Sequence, residues 1–159
     1  MVEVREIGAD DWRLFRRLRL DALAKAPYAF GATLADWSGE RDAEARWRAR
    51  LSTVPFNVVA YLDHRPAGIA SGLPGEEDGT TELISMWVAP FARGRGVADA
   101  LVGAVVRWSR ERRATKLFLN VVEDNARARS VYRRLGFVDT GARCPNELGL
   151  VEQQMVLTL

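Results

Sequence analysis

Apolar residues recur along the chain with two different periods, and the change between them predicts the secondary structure. Alternation, or a short apolar run bounded by turn residues, predicts a strand, and apolar residues three and four positions apart predict an amphipathic helix. The predicted strands span residues 2–7, 56–62, 67–73, 80–88, 115–122, 137–142 and 149–158, and the predicted helices span about 10–25, 38–51, 96–112 and 125–136.

Residues at the predicted helix ends agree with these boundaries. Asp10 or Asp11 and then Ser38 are of N-cap type before the first two helices. Asn125 is of the same type before the fourth, and Gly136 stands where that helix needs a left-handed residue to end. The resulting order, βαα-βββ-α-β-α-ββ, predicts an α/β fold with one mixed sheet and helices on its faces.

Length and composition limit the class of protein. The chain has 159 residues, of which 48% are hydrophobic and 28% charged, as expected for one globular domain over residues 1–159. A run of about 18 apolar residues is absent, which disfavours a membrane-spanning helix. The N-terminal stretch lacks the apolar core of a signal peptide. We therefore expect a cytoplasmic protein with no membrane partner.

Cysteine and histidine are scarce, which removes several kinds of site. A single cysteine, Cys144, forms neither an internal disulfide nor a cysteine-based zinc site, and a single histidine, His64, leaves little room for a Ser-His-Asp triad. We expect no metal. The net charge is +2, and acidic residues are interleaved with the basic ones, which disfavours nucleic acid as the main partner.

The stretch RGRGVADAL, residues 93–101, follows a predicted strand and begins a predicted helix. The first amides of a helix lack intrahelical acceptors, and they attract anions together with the helix dipole. The Gly-Lys-Ser/Thr of a Walker loop is missing, and Asp99 stands where a dinucleotide fingerprint needs its third glycine. On this stretch alone, a phosphate site and a charged turn remain equally open.

The stretch NARARSVYRRLGF, residues 125–137, places Asn125 and Tyr132 seven positions apart. Seven positions are nearly two helical turns, so both side chains lie on one face. They form a polar line along an otherwise apolar stripe. Alone, this pattern also fits a capping asparagine and a tyrosine whose hydroxyl bonds to the backbone.

Taken together, the two stretches resemble the GNAT family of acetyl-CoA-dependent N-acetyltransferases. The family's cofactor motif, Arg/Gln-x-x-Gly-x-Gly/Ala, is matched by residues 93–98 after the strand end Val88-Ala89-Pro90. The second motif, N-x-x-A-x-x-x-Y-x-x-x-G-F, is matched by residues 125–137 without a gap. The predicted element order also agrees with this family's fold, so the resemblance covers nearly the whole chain.

The resemblance implies a mostly antiparallel sheet and acetyl-CoA as the cosubstrate. In the family, the strand before the pyrophosphate loop and the following strand splay apart, and pantetheine lies between them. The backbone of Met86, Trp87 and Val88 would bind it, with the Val88 amide at the thioester oxygen. The residues implied around the pyrophosphate, mainly through their amides, are Arg93, Gly94, Arg95, Gly96, Val97, Ala98 and Asp99.

The same resemblance implies the catalytic residues. Tyr132 would protonate the departing CoA thiolate, and Asn125 would contact the cofactor. Glu82 occupies the position of the glutamate base in histone-acetylating members, although an exposed residue at a strand start is an equal alternative. Asn120, which we place among the cofactor-binding residues, stands where N-terminal acetyltransferases carry a glutamate. Glu123 is a less suitable substitute for the base.

The acceptor is predicted only as a class. The family resemblance implies transfer to a primary amine, and we expect a small molecule rather than a protein because the loops are short. Phe30, Asp36 and Trp37 lie in the connection that borders the acceptor pocket in this family. A non-catalytic acyl-CoA sensor, a protein N-terminal or lysine acetyltransferase and a nucleic-acid-binding protein are the alternatives. The family also suggests a possible homodimer.

Overall fold

The computed structural model describes residues 1–27 and 33–159 of the chain. Within these ranges one sheet of seven strands is flanked by four α-helices. The strands are β1 (Val2–Glu6), β2 (Phe56–Leu62), β3 (Arg65–Pro74), β4 (Thr80–Val88), β5 (Lys116–Val122), β6 (Val138–Pro145) and β7 (Val151–Thr158). The helices are α1 (Trp12–Lys25), α2 (Glu44–Thr53), α3 (Val97–Glu111) and α4 (Ala126–Arg134).

The strands follow the order β1-β2-β3-β4-β5-β7-β6 across the sheet. Among the described strands, β4 and β5 form the parallel pair, and the other neighbours are antiparallel. The helix α3 provides the crossover that a parallel pair requires. The predicted mixed, mostly antiparallel sheet and the predicted element order are therefore confirmed.

Two hydrophobic cores lie on opposite faces of the sheet. Successive side chains of a strand point to opposite faces, and in β2 Val58 and Ala60 pack in the core with α3, whereas Val59 packs in the core with α1 and α2. The long apolar stripe of α3 covers one face, and Phe15 and Trp47 anchor α1 and α2 on the other. The sheet is therefore covered on both faces, as its apolar strands predict.

The second helix begins later than the sequence predicts. Ser38 was expected to cap it, but residues 35–37 and 39–41 form two separate 3₁₀ turns, and α2 starts at Glu44. Gly39 has a φ of 63°, which interrupts a right-handed helix. Asp42 is held outside the helix, because its carboxylate accepts hydrogen bonds from Arg16 of α1 and from Trp47 Nε1 at 2.8 Å.

The parallel pairing of β4 and β5 is short, and this shapes the site. The two strands are in register only from Thr80–Lys116 to Glu82–Phe118. Further along, the register of β4 on β3 shifts, so that Ser85 and Met86 together oppose Ala70. Ser85 has a φ of 53°, typical of a bulge rather than of a regular strand. The C-terminal half of β4 therefore separates from β5, as the family resemblance implies.

Candidate active site

The separated end of β4 offers free backbone groups. The Ala89 N–H donates to the Ala67 carbonyl of β3 at 2.8 Å. Consecutive residues of a strand direct their N–H and C=O groups to opposite edges, so Val88 directs its own groups away from β3. The Val88 amide therefore points towards the opening between β4 and β5, where an extended ligand can be bound in the manner of an added strand.

The loop after β4 leads into α3 with a left-handed backbone. Gly94 has a φ of 73°, and Gly96, the N-cap residue of α3, has a φ of 86°. A Cβ atom added at either glycine would meet nothing within 4 Å, so both face open space. Only glycine adopts this conformation without strain, and it leaves the first amides of α3 accessible to an anion.

A cleft of about 930 Å³ joins these features to α4. Its size is that of a cofactor or ligand pocket. Its walls come from β4 (Met86, Trp87, Val88), from the loop and α3 (Pro90, Ala92, Arg93, Gly94, Gly96, Val97, Ala98, Asp99), from α4 and its cap (Asn125, Arg127, Ala128, Val131, Tyr132, Arg134) and from Ala26.

Three arginines line the cleft, and two of them, Arg93 and Arg127, give it a positive charge. Burial and then the nearby charge of Arg127 lower the pKa of Arg93. The two cations are therefore close enough to repel each other. Arg134 forms two hydrogen bonds with the Asp99 carboxylate, at 2.8 and 3.1 Å, and so connects α4 to the first turn of α3. Arg127 and Arg134 were not predicted, although both lie within the NARARSVYRRLGF stretch. Arginines and free helix amides are groups that bind phosphate in proteins.

Tyr132 of α4 lines this cleft. It is buried, with 8% of its surface exposed, and its ring packs edge-on against Phe137 at a centroid distance of 5.8 Å. Burial raises the pKa of the Tyr132 hydroxyl, so this group is protonated at neutral pH. Asn125 caps α4, accepting a hydrogen bond from the Ala128 N–H at 3.2 Å. The predicted cap is confirmed, and the side chains of Asn125 and Tyr132 lie on one face of α4.

A second cavity, of about 400 Å³, lies on the other side of Tyr132. Met86, Asn125, Ala128 and Tyr132 line both cavities, so the two meet at these residues. The other lining residues come from α1 and α2 (Phe15, Arg19, Trp37, Trp47, Arg50), from β4 (Glu82, Leu83, Ile84, Ser85) and from β5 and β7 (Leu119, Asn120, Val121, Glu152).

Two carboxylates lie on the sheet side of this second cavity. Glu82 is half-buried, and burial, with smaller contributions from Glu76 and Glu152, raises the pKa of its carboxyl group above the usual glutamate value. The Asn120 side-chain amide lies 3.5 Å from Glu82 Oε1. Glu152 was not predicted, since its place opposite Val122 of β5 follows only from the pairing of β5 with β7.

Two arginines lie on the helix side of the same cavity. Arg50 donates to Asn57 Oδ1 at 2.9 Å, to Ser71 Oγ at 3.2 Å and to Ser85 Oγ at 3.0 Å. Burial lowers the pKa of Arg50 to about 10. For Arg19, burial and then the charge of Arg50 lower the pKa to about 10. Neither arginine was predicted, but Arg19 interrupts the buried stripe of α1 between Phe15 and Leu23, which is a detectable signal.

The predicted site residues divide between the two cavities. Those of the cofactor set line the larger cleft, apart from Asn120, which lines the second cavity, and Arg95, which is exposed and lines neither. Glu82 and Trp37 line the second cavity. Asp36 lies outside it and accepts hydrogen bonds from the Thr33 amide and from Arg41, and Glu123 pairs with Arg143. Phe30 lies outside the described residues.

Comparison with known proteins decides the family. A model of the acetyltransferase (GNAT) family matches residues 15–137, which is most of the chain. The chain belongs to the GNAT family. The family that the two motifs predict is therefore confirmed. Acetyl-CoA is the cosubstrate of this family.

Individual GNAT relatives agree with this result. An acetyltransferase of the GNAT family from Streptococcus pneumoniae has a TM-score of 0.79 at 16% identity, with 100% of this chain and 99% of that chain covered. The yncA protein of Salmonella typhimurium, solved with its cofactor acetyl-CoA, has a TM-score of 0.76 at 22% identity and coverage of 100% and 94%. These two likenesses confirm the fold.

A curated relative is similar over a shorter segment. The N-acetylaspartate synthetase of Rattus norvegicus is 34% identical over 84 residues, which are 53% of this chain and 28% of that protein. The chain thus matches less than a third of the length of this relative.

The larger cleft fits acetyl-CoA on physical grounds. It has a free strand edge for the pantetheine amides, accessible helix amides and arginines for the phosphates, and open space over both glycines.

In residues 1–27 and 33–159, no cluster of three His, Cys, Asp or Glu side chains is suited to a metal ion. Within the same ranges, none of the helices has the length and apolar character to cross a membrane.

Proposed function

We propose that this chain transfers the acetyl group of acetyl-CoA to the primary amine of a small molecule by direct attack. The observation that supports this most strongly is the junction of the two cavities at Met86 and Tyr132. A donor in the larger cleft and an acceptor in the second cavity would meet there. We also propose that residues 1–159 act as one domain.

Residues of the larger cleft would bind and polarise the donor. The amides of the Gly94–Asp99 segment would bind the pyrophosphate, and Arg93 and Arg127 would add charge. The Val88 amide, which points away from β3, would donate to the thioester oxygen. A donor fixed at that position stabilises the negative charge that develops there during attack.

Glu82 would accept the proton of the acceptor. An alkyl ammonium has a pKa near that of lysine, about 10.4, and has no lone pair for attack until it loses a proton. The raised pKa of Glu82 makes its carboxylate a better base than an ordinary glutamate near neutral pH. Asn120 would orient that carboxylate through its amide.

Tyr132 would complete the transfer. The amine nitrogen forms a bond to the carbonyl carbon and loses its second proton to solvent, and the carbon–sulfur bond breaks and leaves a thiolate. A protonated tyrosine hydroxyl beside that sulfur supplies the proton the thiolate needs. Tyr132 would regain from solvent the proton that it gives to the sulfur, so that the net proton released is the one that Glu82 accepts. Tyr132 has the required protonation state because burial raises its pKa.

A small acceptor suits the second cavity better than a protein segment. Its volume of about 400 Å³ accommodates a metabolite-sized amine. The relative from rat carries the name N-acetylaspartate synthetase, which describes an acetylated amino acid as the product of that protein. The cytoplasmic location and the homodimer that the sequence suggests stay predictions.

A non-catalytic acyl-CoA sensor is the competing function. The test is thiol release and acetylated product with a panel of amines, measured for the wild type and for Tyr132→Phe. The proposal expects amine-dependent thiol release that Tyr132→Phe slows. Tight acetyl-CoA binding with no release for any amine supports the sensor and contradicts the proposal.

A further inference from the structure

The second cavity carries charges of both signs. Glu82 and Glu152 line it from the sheet, and Arg19 and Arg50 line it from α1 and α2. A cavity with carboxylates alone would suit an acceptor whose only charges are ammonium groups, such as a polyamine. The arginines add positive charge to the cavity, and the binding of an acceptor whose only charge is an ammonium group does not require it.

Arg50 is the better defined of the two cations. Its described hydrogen-bond acceptors are the oxygens of Asn57, Ser71 and Ser85, all of them uncharged. Among the described residues no carboxylate forms a salt bridge with it, although other arginines of the chain, such as Arg16 and Arg48, have such partners. A guanidinium has five N–H donors, and these three hydrogen bonds leave two for a ligand.

The environment of Arg50 is unfavourable for a charge that serves only the fold. Its guanidinium is largely removed from water and lies close enough to Arg19 for the two charges to repel each other, and the cation–π contact with the Phe15 ring at 5.2 Å offsets this only in part. Removing a charge from water is costly unless an opposite charge compensates for it. An anionic group of a ligand would compensate the charge of Arg50.

The position of Arg50 also fixes where such a group would lie. Arg50 donates to Ser85 Oγ, and Ser85 is followed by Met86, which lines both cavities. An anion bound at Arg50 would therefore lie a short distance from the junction where the acetyl group is transferred. An amine only a few bonds from that anion would reach the junction.

We propose that the acceptor is an amino acid or a similar amine with a carboxylate a few bonds away, bound through Arg50 with Arg19 beside it. The donors of Arg50 that remain, one on Nε and one on Nη1, and its positive charge would bind the carboxylate. The ammonium group of the same molecule would face Glu82. This proposal rests on the proposed acetyl transfer and adds the chemical class of its substrate.

The test compares matched acceptors with labelled acetyl-CoA. The wild type is assayed with free amino acids, with their carboxamides and with the corresponding amines that lack the carboxyl group, and acetylated products are measured. We expect kcat/KM for the preferred amino acid to exceed that for its carboxamide at least tenfold. Equal kcat/KM values for the amino acid and its carboxamide, or a preference for the amine that lacks the carboxyl group, overturn the carboxylate proposal and leave acetyl transfer standing. No product from any amine contradicts the transfer itself.

Variants then assign the carboxylate to Arg50. Arg50→Met should lower kcat/KM for the amino acid at least tenfold more than kcat/KM for the carboxamide, and Arg50→Lys should restore part of the difference. Arg48→Met, on the same helix, is the control, because Arg48 pairs with Asp10 and Glu44. A loss by the same factor for amino acid and carboxamide in Arg50→Met indicates a structural role only and contradicts the assignment.

Discussion

Glu82 and Asn120 face each other at the point where the two parallel strands separate, with Asn120 Nδ2 3.5 Å from Glu82 Oε1. Glu82 is the last residue of β4 that is in register with β5, and Asn120 lies two residues beyond its partner Phe118. The same separation that opens the cleft therefore places a carboxylate and an amide beside the second cavity, where we propose that the acceptor binds.

Replacing Glu82 by glutamine should lower kcat/KM about 100-fold at neutral pH, because the base is lost. The carboxylate form of Glu82 exists above its pKa, which burial raises, so wild-type kcat/KM should fall as the pH drops through a value above the ordinary 4.3. In Glu82→Gln this fall of kcat/KM at low pH should be absent. The increase of kcat/KM at high pH, which comes from deprotonation of the acceptor amine, should remain. The measurement is the pH profile of kcat/KM.

Glu123→Gln is the matched control for this prediction. Glu123 is exposed, and it pairs with Arg143 at 3.1 Å rather than lining either cavity. Its replacement should leave the pH profile unchanged. An unaltered profile in Glu82→Gln, or an equal loss in Glu123→Gln, would show that Glu82 is not the base.

Substitutions in the loop before α3 should separate backbone binding from side-chain charge. Gly96→Val places a side chain in the open space at the start of α3 and in a left-handed backbone, so acetyl-CoA binding should be abolished. Arg95→Ala should weaken it only a few-fold, because Arg95 is exposed and outside the cleft. Isothermal titration with acetyl-CoA measures both.

Gly149→Val controls for backbone strain. Gly149 also has a positive φ, 78°, and open space around its would-be Cβ, but it lies in the turn between β6 and β7. This variant should bind acetyl-CoA as the wild type does. A larger loss of affinity in Arg95→Ala than in Gly96→Val would refute the assignment of the loop.

The Asp42 contacts predict a pH dependence of stability. Hydrogen bonds from Arg16 and then from Trp47 lower the pKa of Asp42 to about 2. A carboxyl group whose pKa is lower in the folded chain stabilises it above the unfolded value of about 3.9, and loses this effect as the pH falls towards the folded value. Asp42→Asn should therefore lower the free energy of unfolding by about 1 kcal/mol at pH 7.

The difference between the wild type and Asp42→Asn should shrink as the pH falls from about 5 towards 2. Urea unfolding at several pH values measures it. Asp36→Asn is a comparison on the adjacent turn, since the Asp36 carboxylate bonds to the Thr33 amide and to Arg41 but not to α1 or α2. A difference that stays constant down to pH 2 would contradict the role of the Asp42 charge.

Local patterns were sufficient for the fold and for most of the residues that line the larger cleft. The strand periods, the glycines at 94 and 96 and the Asn125–Tyr132 spacing each depend on residues close in sequence. The second cavity depends on contacts between residues far apart in sequence: Glu152 lines it from β7, and Arg19 and Arg50 line it from α1 and α2. The start of α2 was wrong because Asp42 is held by Arg16, 26 residues earlier.

The most direct test of the central claim is acetyl transfer by the wild type and by Tyr132→Phe, followed with labelled acetyl-CoA and a panel of amino acids. Tyr132→Phe keeps the ring that packs on Phe137 and removes only the hydroxyl. The account predicts labelled N-acetyl product with the wild type, a kcat lower by about 100-fold in the variant and an unchanged Kd for acetyl-CoA. Equal kcat values in the two proteins, or no labelled product from any amine, would contradict it.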